Sequence, residues 1–61
     1  MSVRLLLVED NEMNRDMLSR RLRRAGFETI LAEDGEQALV RVAADRPDLV
    51  LLDMNLPLVD G

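Results

Sequence analysis

The chain has 61 residues, of which 48% are hydrophobic and 33% charged, and its formal net charge is −4; this composition is typical of one small globular domain. It contains neither cysteine nor histidine, which excludes disulfides and metal sites built from thiolates or imidazoles. With Phe27 as its one aromatic residue, it lacks the stacked aromatic platform of single-strand nucleic-acid binders, and its apolar runs are too short to span a bilayer.

The first predicted element is a strand over residues 3–8, VRLLLV. It is apolar on both faces, as in a central strand of a parallel sheet covered by helices. A helix over about residues 12–25 follows, with Asn11 as its expected N-cap and Gly26 as its expected C-terminal stop. At helical spacing, its apolar side chains form the face that we expect to pack on the sheet: Met13, Met17, Leu18, Leu22 and Ala25.

The second half of the chain starts with a less apolar strand over residues 27–32, FETILA, which is typical of a sheet edge. Asp34, with Gln37 three residues later, matches a capping box at the start of a second helix over about residues 35–45. The apolar stripe expected on that helix consists of Ala38, Leu39, Val42 and Ala43.

A third strand is predicted over residues 48–53, DLVLLD, again apolar on both faces. The order β-α-β-α-β with short connections implies right-handed crossovers and a parallel sheet. With strand order 2-1-3, the two helices would cover opposite faces. The carboxyl ends of strands 1 and 3 would then flank the point where proteins of this architecture bind ligands.

Acidic residues occupy both of those strand ends. Glu9 and Asp10 follow the first strand, and Asp53 ends the third. Neighbouring carboxylates repel unless a cation neutralises them, and Mg²⁺ is the cation that prefers such oxygen ligands. A carboxylate beside Mg²⁺ can attack phosphorus and form an aspartyl phosphate. The spacing alone also allows a plainer alternative, in which Asp10 caps the helix and Glu9 is solvated.

Three blocks of the sequence, in this order, resemble the receiver domain of two-component response regulators. They are VRLLLVEDNEMNRDMLSRRLRRAGFE, AEDGEQAL and PDLVLLDMNLPLVDG, and together they cover nearly the whole chain. The resemblance implies a flavodoxin-like α/β fold with parallel strand order 2-1-3. Residues 1–61 would form its N-terminal half, through the loop after the third strand.

The resemblance also implies roles for particular residues. Asp53 corresponds to the phosphoacceptor, and a histidine kinase or histidine phosphotransfer protein would be the phosphoryl donor. Asp10 would bind Mg²⁺ directly together with Asp53, Glu9 would act mostly through water, and Asn55 would offer its backbone carbonyl. By this resemblance, the module would be cytoplasmic, would signal rather than catalyse, and would have no membrane contact.

Residues 1–61 depart from the family pattern in one large respect. Receivers have two further strands and three further helices, which supply a Thr or Ser and a Lys to the phosphoryl site, and this sequence has no lysine at all. We therefore expect either a fragment of a longer receiver or a chain that pairs as a homodimer through the edge of its third strand. Whether half a pocket takes phosphate stays open.

Three other functions are possible for parts of this sequence. A Mg²⁺-dependent phosphatase that forms an aspartyl phosphate would typically carry Asp-x-Asp after its first strand, where this chain has Glu-Asp-Asn, so the order favours the receiver. An interaction fragment with vestigial acids is the second alternative. A nucleic-acid patch on the first helix, which carries Arg15 and four further arginines, is the third. Those four point several ways around the helix, which favours a solvated helix face and no direct nucleic-acid binding by this segment; they are Arg20, Arg21, Arg23 and Arg24.

Overall fold

The computed structural model describes residues 3–52. Their order is β-α-β-α-β, as expected, and each bound lies within one residue of the expected range; the expected end of the third strand at Asp53 falls outside the described residues. The elements are β1 Arg4–Val8, α1 Glu12–Arg24, β2 Glu28–Ala32, α2 Gly35–Asp45 and β3 Leu49–Leu52. Neither of these two helices is long and apolar enough to cross a membrane.

The three strands form one parallel sheet in the order β2-β1-β3, which confirms the expected topology. Strand β1 is central, and its side chains from Leu6 to Val8 are fully buried. At its carboxyl end, Val8 is in register with Ala32 of β2 on one side and with Leu52 of β3 on the other. The carboxyl ends of all three described strands therefore lie along the same edge of the sheet.

The two helices cover opposite faces of this sheet. Ala38 of α2 packs against the core cluster that includes Val8 and Ala32. Leu31, whose side chain points to the other face because neighbouring strand residues alternate, lines a groove together with residues of α1. Each face of β1 thus has a helix over it, which explains why a strand apolar on both sides is stable at this position.

Helix α1 ends in a Schellman motif centred on Gly26. The Gly26 N–H donates to the carbonyl of Arg23, and the Phe27 N–H donates to the carbonyl of Leu22, both at 3.0 Å. Gly26 has φ of +100°, a backbone conformation that glycine adopts without the steric cost of a Cβ atom. The expected C-terminal stop at this residue is confirmed.

The face that α1 presents to the sheet differs from the expected one. Met13 is 78% exposed and Met17 48%, and Ala25 is exposed too. Leu18 and Leu22 are half-buried as expected. The face turned towards the sheet includes Arg15 and Ser19 instead, because both polar side chains find backbone acceptors. The buried Ser19 hydroxyl donates to the Asp16 carbonyl at 2.8 Å, and Arg15 Nη1 donates to the Glu9 carbonyl at 2.9 Å.

Burial was also overestimated for α2, whereas β3 is an exposed apolar edge strand, as expected. Of the α2 stripe, Ala38 is half-buried, but Leu39 is 73% exposed and Val42 42%, and Ala43 is exposed. The reason is that α2 packs against β1 and β2, so the four residues of β3 remain exposed within the described part of the chain. The homodimer expected through this strand stays a prediction.

The positive φ of Gly26 leads to a prediction about the stability of the fold. Replacing Gly26 by Ala should lower the free energy of unfolding by about 1–2 kcal/mol, the cost of holding an L-residue at positive φ. No atom lies within 4 Å of the added Cβ, so the loss is due to backbone strain rather than to a clash. Urea unfolding followed by circular dichroism measures it.

Gly35 is the matched control for this substitution. It is the first residue of α2, and a Cβ there also meets no atom within 4 Å, but its φ is not positive. Gly35→Ala should therefore leave stability unchanged or raise it by up to about 1 kcal/mol. Equal losses in both variants would contradict the assigned role of the Gly26 conformation.

Candidate functional site

An acidic loop (Glu9, Asp10 and Asn11) connects β1 to α1 at the carboxyl edge of the sheet. Glu9 is only 2% exposed. Its N–H donates to the Ala32 carbonyl at 3.1 Å, which extends the pairing of β1 with β2 by one residue. One carboxylate oxygen, Oε1, accepts the Asn11 N–H at 3.0 Å. The alternative of a solvated Glu9 is therefore wrong.

Asn11 starts α1, as expected from the sequence. Its extended backbone and its side-chain Oδ1, which accepts the Asn14 N–H at 2.9 Å, make it the N-cap. Asp10 consequently does not occupy the capping position proposed in the plainer alternative. It is exposed, and it lies between a buried carboxylate and the start of a helix, whose first N–H groups carry partial positive charge.

Arg15 is a site residue that the sequence analysis missed. Its side chain is 13% exposed, and Nη1 donates to the Glu9 carbonyl oxygen at 2.9 Å. Its other terminal nitrogen, Nη2, lies 3.6 Å from Glu33 Oε1. The assignment of Arg15 to a solvated basic face is therefore wrong. The available signal was its position four residues after the N-cap, on the turn next to the acidic loop.

The turn between β2 and α2 lies on the far side of Arg15. Asp34 caps α2, because its Oδ1 accepts the Gln37 N–H at 2.9 Å. The Gln37 side chain reaches the Glu33 N–H at 2.9 Å instead of the Asp34 N–H, and its Nε2 donates to Glu33 Oε2 at 3.3 Å. The expected capping box thus forms in a shifted version that also fixes Glu33, the partner of Arg15.

The described residues contain part of the predicted Mg²⁺ donor set. Glu9 and Asp10 are adjacent at the sheet edge, whereas Asp53 and Asn55 lie outside the described residues. Within residues 3–52, no group of three or more acidic side chains is close enough to hold a metal ion. Glu9 Oε1 already accepts a backbone N–H, which fits action through water; the exposed carboxylate of Asp10 is of the type that Mg²⁺ binds directly.

The chain thus has the architecture of the open parallel α/β domains, which bind ligands at the carboxyl ends of their strands. The comparison with known families is more specific. The family model of the response regulator receiver domain matches residues 5–61, so the chain belongs to the receiver family of two-component response regulators, as the sequence blocks indicated.

Several curated relatives agree with this assignment. The response regulator MprA of Mycolicibacterium vanbaalenii and that of Mycobacterium tuberculosis strain H37Rv are each 46% identical over 61 residues. The alkaline phosphatase synthesis transcriptional regulatory protein PhoP of Bacillus subtilis is 41% identical over the same length. Each alignment covers the whole chain but only 25–26% of the relative, so the chain spans about a quarter of these proteins.

The N-cap of α1 at Asn11 leads to a second prediction about the stability of the fold. Replacing Asn11 by Ala removes the Oδ1 acceptor of the Asn14 N–H and should lower the free energy of unfolding by about 1 kcal/mol. Asn11→Ser, which keeps an acceptor oxygen at this position, should retain most of that stability. Urea unfolding of both variants checks this, and equal losses would mean that Oδ1 contributes nothing as a cap.

Proposed function

We propose that this chain is a phosphoacceptor module of a two-component phosphorelay and that Asp53 takes the phosphoryl group. The observation that carries the proposal is the pairing of Val8 with Leu52. In the sequence, the acidic pair Glu9 and Asp10 follows the first of these residues, and Asp53 follows the second. The described ends of two neighbouring parallel strands thus lie at the same edge of the sheet, and in the sequence an acidic residue follows each of them.

The proposed reaction is an in-line transfer from a phosphohistidine. A carboxylate oxygen of Asp53 attacks phosphorus, the new O–P bond forms, and the N–P bond to the donor imidazole breaks, with its electron pair leaving on nitrogen. The donor is a histidine kinase or a histidine phosphotransfer protein, as membership of the response regulator family suggests. The module carries a signal and is not itself an enzyme, and we place it in the cytoplasm.

Mg²⁺ would be held by Asp10 and Asp53 directly, by the backbone carbonyl of Asn55, and by Glu9 through water. When bound, it would neutralise negative charge on the transferred phosphoryl group. The described residues would contribute by holding two neighbouring carboxylates, those of Glu9 and Asp10, at the end of β1, although their negative charges repel each other. Glu9 is buried and hydrogen-bonded to the Asn11 N–H, and this leaves Asp10 as the exposed acid of the pair.

Phosphorylation can be tested directly with a small-molecule phosphodonor. Incubated with phosphoramidate and Mg²⁺, the chain should gain the mass of one phosphoryl group, and hydroxylamine should remove it, as expected of an acyl phosphate. Asp53→Asn, which keeps the shape but loses the nucleophile, should gain none. Asp16→Asn is the control, since Asp16 is an exposed acid on α1 and should be phosphorylated normally. No phosphate on the wild-type chain would favour the interaction fragment with vestigial acids.

Metal binding has a separate test in thermal unfolding. At a Mg²⁺ concentration about ten times Kd, preferential binding to the folded state should add about 1.4 kcal/mol of stability. In a domain of this size, this raises Tm by roughly 6–11 °C. Asp10→Ala should abolish the shift because it removes a direct ligand. The same rise in Asp10→Ala as in the wild-type chain would remove Asp10 from the metal site.

A further inference from the structure

We infer that Arg15 is the positioning residue of the acidic loop: it holds the residues on both sides of Asp10 and so fixes the backbone that carries this carboxylate. The inference rests on the proposed Mg²⁺ site. It assigns a role to a residue outside the proposed ligand set, on a different element from β1 and β3, and it explains why an arginine on a helix surface is nearly buried.

Two bonds from Arg15 bracket Asp10. The Arg15 backbone N–H donates to the Asn11 carbonyl at 2.8 Å, which is the i→i−4 bond that any residue would make in this first turn of α1. The bond specific to arginine is that of its side-chain Nη1, which donates to the Glu9 carbonyl at 2.9 Å. Glu9 is held further by its N–H bond to Ala32 and by the bond from the Asn11 N–H to its carboxylate. Both neighbours of Asp10 are therefore fixed, while Asp10 itself remains exposed to solvent.

The guanidinium group suits this role because it can contact two acceptors at once. While Nη1 bonds to Glu9, Nη2 lies 3.6 Å from the Glu33 carboxylate, which Gln37 holds in turn. A lysine ammonium is a compact point charge and cannot reproduce this fork. Arg20 on the same helix provides the contrast: its side chain is 73% exposed and pairs with Asp16 in solvent.

Charge and positioning predict opposite effects on metal binding. A positive side chain near a cation site repels the cation. If Arg15 acted by charge alone, its removal would strengthen Mg²⁺ binding. If Arg15 positions the loop, its removal lets the ligand-bearing backbone move, and Mg²⁺ binding weakens. The sign of the change therefore separates the two roles.

The experiment compares Mg²⁺ affinity in the complete chain and its Arg15→Met, Arg15→Lys and Arg20→Met variants. The chain has no tryptophan or tyrosine, so isothermal titration calorimetry is preferred to intrinsic fluorescence. Arg15→Met keeps the apolar stem and should bind Mg²⁺ about tenfold more weakly, as is typical when a residue supporting a metal ligand is lost. Arg15→Lys keeps the charge but not the fork and should also bind more weakly. Arg20→Met loses the same charge and should bind as tightly as the wild type or slightly more tightly.

Asp10→Ala distinguishes failure of this inference from failure of the proposed function. If the wild-type chain and Asp10→Ala bind Mg²⁺ equally, or if neither binds it, the proposed metal site is wrong. The positioning role of Arg15 is then wrong too, because it rests on that site. If Asp10→Ala loses binding while Arg15→Met matches or exceeds the wild type, the inference about Arg15 alone is overturned. Thermal unfolding shows whether Arg15→Met is folded. If it is not, the Mg²⁺ affinity of Arg15→Lys tests the inference in its place. An affinity equal to that of the wild type in Arg15→Lys would overturn the inference.

Discussion

Burial of strand β1 from Leu5 to Val8 is the constraint on which the rest of the structure depends. Its side chains from Leu6 to Val8 are inaccessible to solvent because β2 and β3 flank the strand and a helix lies over each face. Shifting β1 by one residue would turn each of its buried side chains to the opposite face of the sheet. It would also break the register of β1 with β2 and with β3. The residue after Val8 therefore has a fixed position, and that residue is Glu9. A buried core strand sets the place of a buried acid.

Burial of that acid has an energetic cost that the fold offsets locally. A carboxylate removed from water is unfavourable unless hydrogen bonds or opposite charge compensate it. The Glu9 carboxylate accepts the Asn11 N–H, the N-terminus of α1 follows at Glu12, and Arg15 donates to the Glu9 carbonyl oxygen. Selection for stability alone would favour an apolar residue at this position. An acidic residue at such a buried position is the expected signature of a site whose local chemistry matters more than local stability.

The sequence predicted the fold well because most of its signals were local. Each of these signals depends on residues that are close together in the chain: the two short apolar runs, the N-cap at Asn11 and the C-terminal stop at Gly26. The structure confirms the cap and the stop. The strand order required the family resemblance, since spacing only made it plausible. Helix faces were less predictable: Met13 and Met17 obey helical periodicity yet are exposed, because periodicity says which side chains share a face but not which face meets the sheet.

Arg15 illustrates why the candidate site could be predicted only in part. Glu9 and Asp10 are adjacent in sequence to a recognisable strand, so their position followed from the fold. The role of Arg15 depends on a carbonyl six residues earlier and on Glu33, eighteen residues later and beyond another strand. In the sequence it is one of several arginines on α1, and only its position four residues after the N-cap, next to the acidic loop, sets it apart from Arg20. The tertiary arrangement makes the difference plain, because the Arg15 side chain is 13% exposed and donates to the Glu9 carbonyl, whereas the Arg20 side chain is 73% exposed.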